Sequence, residues 1–165
     1  MVLRIAKLLL LAGVALFHFL VVFNNLTDFD SNYQFVRHVL TMDTTLPGNH
    51  GMWRALPSPA LQLAFYLAII AWELVVTIFL VWGGLRLLRA LRLPAAAFNS
   101  AKSMALGALV FSLMIWLVAF LSVGGEWFLM WQSHIWNGQD AAFRNFAVVG
   151  LVFLMLMQPD METQP

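Results

Sequence analysis

The sequence predicts an all-α, polytopic membrane protein: a four-helix bundle with a long structured outer loop between its first and second helices. Three observations predict it. Hydrophobic residues make up 62% of the 165-residue chain and charged residues only 10%, whereas a soluble domain is about a quarter charged. The apolar residues gather in four stretches, near 5–24, 60–82, 104–124 and 143–158, of the order needed to cross a hydrocarbon core of about 30 Å with roughly 20 helical residues. The Lys and Arg residues collect near the ends of these stretches, and unequally between the two sides. The chain reads as a single membrane unit, 1–165, with no linker and no internal repeat.

In the first stretch, Arg4 and Lys7 precede the apolar run 8–23 as in a signal peptide. The run exits into Val21, Val22, Phe23, Asn24 and Asn25 with no small-x-small cleavage pattern, so it is expected to stay as an uncleaved span. His18 lies in its outer half, with Asn25 seven residues on and on the same face. A hydrogen-bonded packing role is the first expectation for it. Haem ligation would need a second ligand opposite, and His134 is the one partner to consider.

The outer loop 25–59 is too long for a turn. Ser31 and Gln34 fit a capping box at a helix start. Phe35, Val36, Val39, Leu40 and Met42 then supply an apolar face, with Arg37, His38 and Asp43 opposite. A short helix lying on the membrane or on the bundle is expected. Pro47 and Gly48 mark a turn, Trp53 and Arg54 suit an interface, and Pro57 and Pro59 lead into the second span. His38, Asp43 and His50 match no metal-ligand spacing, so no metal site is expected.

The second span, 60–82, carries Glu73 near its middle, where an ionised carboxylate costs at least about 3 kcal/mol. Gln62, Tyr66, Glu73 and Thr77 share one helix face, and this polar stripe is expected to point into the bundle. Glu73 reads either as helix-cementing or as a functional carboxylate. The loop 83–103 holds Arg86, Arg89, Arg92 and Lys102 and no acid, with Gly83, Gly84 and Pro94 as candidate helix ends. It reads as a topogenic, lipid-contacting loop, with a specific anionic-lipid or partner site as the other use.

The third span, 104–124, continues a small-residue strip of Ala101, Ala105, Ala108, Ser112 and Ala119 that lets another helix approach closely, the polar face of the second span being the expected partner. The outer loop 125–142 is aromatic, with Trp127, Trp131 and Trp136; the first two would be neighbours on a helix, and the three read first as an interfacial aromatic belt, with a ligand or partner surface shared with the first outer loop as the other use. The fourth stretch, 143–158, is short. It spans only if it tilts, if the bilayer thins, or if residues 141–145 join the helix. Six cations (Arg4, Lys7, Arg86, Arg89, Arg92, Lys102) fall on one side and three (Arg37, Arg54, Arg144) on the other, which places both termini in the cytoplasm.

With no cysteine, thiolate catalysis, disulfides and cysteine-held metals are excluded. Hydrolytic and phosphate-cradling motifs are absent, and a net charge of +1 gives no nucleic-acid surface. No cofactor is expected. The expected partners are the lipid bilayer and either another protein or further copies of the chain.

The run Phe23, Asn24, Asn25, Leu26, Thr27, Asp28, Phe29, then Asn32, Phe35 to Leu40, Met42 to Thr45 and Met52 to Arg54 resembles the DUF2165 family of predicted small bacterial integral membrane proteins. The resemblance implies a bacterial inner membrane and periplasmic outer loops. It implies no activity and no catalytic residues, but it puts weight on Asn24, Asp28, Asn32, His38, Asp43, Trp53 and Arg54. With Trp127, Trp131 and His134 these form the candidate outer interaction site. The function expected is a non-enzymatic accessory or interaction subunit. The alternatives are a small transporter or channel component using Glu73 as a protonatable or cation-binding carboxylate, and a haem- or quinone-linked redox subunit.

Overall fold

The computed structural model describes residues 1–161. Five helices carry them: α1 (Val2–Thr27), α2 (Phe29–Thr41), α3 (Pro59–Ala90), α4 (Ala95–Trp127) and α5 (Gln139–Met157). All except α2 are long and apolar enough to cross a membrane, and the described residues contain no strand. Neighbours close a ring: α1 on α3, α3 on α4, α4 on α5 and α5 back on α1. Leu11, Val76, Leu80 and Leu109 fill the centre with no more than traces of exposed surface. Large apolar side chains such as Leu16, Phe19, Leu74 and Leu151 face outward, the arrangement hydrocarbon permits and water does not.

Three boundaries of the spanning helices differ most from expectation. α3 does not stop at Gly83 and Gly84 but continues to Ala90. Gly83 is an interface residue: a Cβ there would lie 2.7 Å from the Cα of Ala105 on α4, so the missing side chain is what lets the two backbones meet. α4 begins at Ala95, well before position 104, and from Ile115 to Trp127 its turns widen into π-helical geometry. There Phe128 N–H reaches back five residues to the Val123 carbonyl at 3.0 Å. The widened stretch sets Ile115 and Trp116 against Ala142 of α5 in a small buried cluster. α5 draws in residues 139–142 and reaches 19 residues, or about 28 Å of helix.

At one end the two loops form a cap. Helix α2 begins at Phe29 after Asp28, two residues ahead of the expected capping box. Ser31 caps nothing, and the Gln34 amide instead donates to Asp30 Oδ1 at 3.4 Å. Its apolar face is as the spacing implies: Val36, Val39, Leu40 and Met42 are buried against Tyr66, Ile70, Phe128 and Met130. Leu56 N–H donates to the Leu40 carbonyl at 2.8 Å. Thr44 Oγ1 and Ser133 Oγ share a hydrogen bond of 2.8 Å, and Leu46 N–H donates to Gln132 Oε1 at 3.2 Å. These bonds join the loops to each other.

The opposite, basic end is tied by Arg4. Its guanidinium pairs with Asp160 at 2.6 Å and donates to the carbonyls of Leu91 and Leu93 at 2.9 and 2.6 Å. It also lies 4.7 Å from the centre of the Phe98 ring. One side chain thus holds the start of α1, the α3–α4 corner and the segment after α5. The hydrogen bond and charge of Arg4 hold the Asp160 carboxyl below its usual range, with the nearby Lys7 and Lys102 charges acting in the same sense against partial burial. A depressed carboxyl stabilises the fold above the ordinary carboxylate range and ceases to do so as the pH falls through its own lowered value. Acidification below the carboxylate range is therefore expected to lower the thermal midpoint in detergent, and Asp160→Asn to lower it at neutral pH and flatten that acid dependence.

Candidate functional site

The polar stripe of α3 turns inward, and each member finds a different partner. Gln62 Nε2 donates to the Leu56 carbonyl at 2.7 Å, tying the helix start to the cap. Tyr66 O–H lies 3.0 Å from the Asn25 carbonyl and 3.2 Å from its side-chain oxygen, joining α3 to the end of α1. Thr77 Oγ1 donates to the Glu73 carbonyl one turn back at 2.8 Å, a local bond that leaves the bundle contact to Glu73.

Glu73 meets His18. The carboxylate oxygen Oε2 shares a hydrogen bond with His18 Nδ1, and His18 Nε2 lies 2.6 Å from Ser112 Oγ on α4. All three are enclosed, with His18 at 0%, Glu73 at 1% and Ser112 at 0% exposure. The trio links α1, α3 and α4 at one level of the bundle. Its chemistry suits that depth. Whether the shared proton resides on nitrogen or oxygen, the His–Glu pair is net neutral, so the large cost of burying a lone charge is avoided. In both of these states Nε2 carries a proton, which Ser112 Oγ accepts. Beside the imidazole, 6.4 Å between ring centres, stands Trp116, whose buried indole N–H has no acceptor.

Sequence reasoning isolates Glu73 and His18 but does not join them, and it reads Ser112 only as part of the smooth strip. A signal was present: apart from Tyr66, His18 and Glu73 are the ionisable residues in the interiors of the four apolar stretches, and a buried carboxylate needs a partner. The haem pairing of His18 with His134 does not hold. Both ring nitrogens of His18 are engaged inside the bundle, while His134 is exposed on the cap.

The candidate outer residues separate into local groups. Asn32 Nδ2 donates to the Asp28 carbonyl at 3.0 Å and reaches the Asn24 carbonyl at 3.5 Å, bracing the α1–α2 corner. His38 Nδ1 and Asp43 share a 2.7 Å hydrogen bond, and the imidazole stacks on Trp136 at 4.7 Å. Trp53 and Trp127 meet edge to face at 5.8 Å, with the Arg54 guanidinium 5.5 Å from each ring and 3.1 Å from the Trp127 carbonyl. The helical neighbourhood expected for Trp127 and Trp131 is absent, because the helix ends at Trp127 and the chain reverses at Leu129, whose φ is 54°. Trp131 and His134 stay exposed. Among the described residues no group of three metal-ligating side chains occurs. Arg54→Ala is expected to cost about 1 kcal/mol, the scale of a half-exposed cation–π contact and its hydrogen bond, and to raise amide exchange at residues 51–56 and 126–132.

Below the cap, α2, α3 and the wide turns of α4 border an open apolar cavity of about 260 Å³ with Phe35, Val39, Phe65, Trp72 and Phe120 in its walls. Nothing polar converges on it.

No curated protein and no solved structure matches the chain. A family model does, that of a predicted small integral membrane protein, over residues 3–159. With four helices of membrane-spanning length and a match over nearly the whole sequence, the chain belongs to the DUF2165 family of predicted small integral membrane proteins.

Proposed function

We propose that this protein is a non-enzymatic accessory subunit of a bacterial inner-membrane complex, with both termini in the cytoplasm, and that it docks a protein partner through its cap. One observation carries the reading. The cap is cross-tied between its two loops, yet it holds Trp53 and Ile135 at 74% exposure and Trp127 and Trp131 at 49% and 48%. Exposed aromatic anchors on a pre-ordered support are what partner binding uses. The orientation follows from the six cations at the basic end. The non-catalytic reading is supported by the core trio. Its hydroxyl–imidazole–carboxylate order is that of a nucleophilic triad, but Ser112 has no exposed surface on which a substrate carbonyl could approach.

A photo-crosslinking residue at Ile135, in native membranes, tests the docking. The expected product is a protein adduct of one fixed mass, either a partner or a second copy, with none from the same residue at lipid-facing Leu151. Lipid adducts alone at both positions overturn the reading. Because the chain lacks cysteine, a single cysteine at Ser100 or Asn137 reports orientation by itself. An impermeant maleimide is expected to label the second and not the first in intact spheroplasts, and the reverse result would invert the topology.

A second reading, a transporter or channel component with Glu73 as a protonatable site, draws on the orphan Trp116 N–H beside His18. A buried donor without a partner calls for an acceptor such as water, and a water beside His18 is what a proton path would use. Glu73→Gln distinguishes the two readings: a transport role predicts lost proton or cation flux in liposomes from an intact fold, whereas a structural role predicts no flux to lose.

A further inference from the structure

We propose that the basic end contains a binding site for a phosphate-bearing anion, filled by the headgroup of an anionic phospholipid from the surrounding leaflet, with Lys7 at its surface and Lys102 adding charge from behind. Lys7 Nζ donates to the Gln158 carbonyl at 2.6 Å, and Lys102 Nζ donates to the same oxygen at 2.8 Å. Two ammonium groups are thus held at one neutral acceptor. Both lysines are buried, at 8% and 3% exposure. The other contacts of Lys102 are the Asn99 amide oxygen at 2.7 Å and the Phe98 ring, neither of which is charged. Among the described residues the acid at this end is Asp160, and it is engaged by Arg4. Arg4 also donates to two carbonyls, and the single carboxylate of Asp160, which lies near Lys7 and Lys102 as well, offsets only part of the charge of Arg4, Lys7 and Lys102.

Two ammonium groups held out of water at one carbonyl repel each other, and an anion beside them relieves both that repulsion and their lost solvation. The space for it is present. A cavity of about 970 Å³ opens beside Lys7, lined also by Arg4, Arg92, Gln158 and Asp160 and by the apolar Leu3 and Met155, and Lys102, outside that lining, meets Lys7 at the Gln158 carbonyl. Cationic and polar groups together with apolar side chains suit a phosphodiester whose acyl chains continue into the bilayer. Basic pockets between transmembrane helices take such headgroups. Free phosphate offers the same oxygens without the apolar half.

The wild-type protein, stripped in zwitterionic detergent, is offered equal amounts of phosphatidylglycerol and phosphatidylcholine with identical chains, and retained lipid is read by native mass spectrometry. An approximately tenfold preference for the anionic lipid is expected. It should vanish in K7Q/K102Q and persist in R86Q/R89Q, whose cations are at the same end but exposed and outside the cavity. In a second arm, millimolar inorganic phosphate is added in zwitterionic micelles. A raised unfolding midpoint in the wild type, absent in K7Q/K102Q and without a lipid preference, supports the phosphate site with a soluble source instead of a lipid. Equal retention of the two lipids and no response to phosphate overturns the proposal even if K7Q/K102Q does not fold. A preference lost equally in R86Q/R89Q overturns it as well, since general surface charge would then account for it.

Discussion

Replacing His18 with Leu is expected to cost about 3–5 kcal/mol in unfolding from dodecylmaltoside into SDS micelles, followed by loss of helicity. The substitution strands Glu73, whose carboxylate has no other side-chain partner and is 1% exposed. It must then bury a charge or take up a proton, and it still lacks a donor. Glu73→Leu is expected to cost less, because what remains is an imidazole that can stay neutral and keep Ser112. Glu73→Gln should cost least, since an amide still offers His18 a hydrogen bond. Ser112→Ala removes one interhelical bond, for which about 0.6–1.7 kcal/mol is the membrane scale. The order His18→Leu, Glu73→Leu, Glu73→Gln separates a stranded charge from a lost hydrogen bond, which bond counting alone does not.

Gly83→Val is expected to be nearly as damaging, through geometry instead of charge. At 2.7 to 2.8 Å from the Cα, Cβ and N of Ala105, a new Cβ meets backbone that no rotamer change can move aside. The helices α3 and α4 must separate, opening voids around Leu80, Leu87 and Leu109. Overpacking of this kind costs about 1–3 kcal/mol where side chains can adjust, and the backbone contact puts the expected loss at or above the top of that range. Gly83→Ala should show a smaller loss. Adding Ala105→Gly should recover only part of it, because the Ala105 Cα and N remain in place. Full recovery would mean that a side-chain clash, and not backbone approach, governs the interface.

The bundle was legible because solvent dictates it. In hydrocarbon every backbone group must be satisfied within its own helix, so apolar length alone locates the spans, and Leu74 and Leu151 can face outward at no cost. The inward turn of Gln62, Tyr66, Glu73 and Thr77 was legible from the same argument. Helix ends were less so. Gly83 and Gly84 usually mark a stop, but between packed transmembrane helices a missing side chain serves close approach, and only the position of Ala105 distinguishes these uses. The helix start at Phe29 was hidden because Ser31 and Gln34 satisfy a capping pattern that the folded chain does not use. The core trio went unread for another reason. Periodicity assigns His18, Glu73 and Ser112 to faces of their own helices, but which faces meet, and at what depth, depends on how α1, α3 and α4 register against one another. The Arg4–Asp160 tie joins residues 156 apart in sequence, and local spacing carries no trace of it.

The central claim, that His18 and Glu73 act as one mutually satisfied unit locking three helices, is tested most directly by a double-mutant cycle. His18→Leu, Glu73→Leu and the double variant are unfolded under identical conditions. If the two residues are a unit, removing both leaves no orphan, and the double variant is expected to be more stable than His18→Leu alone, with a coupling of about 2 kcal/mol or more. Losses that add to within about 0.5 kcal/mol would contradict the account, because two residues that do not share an interaction behave in that way.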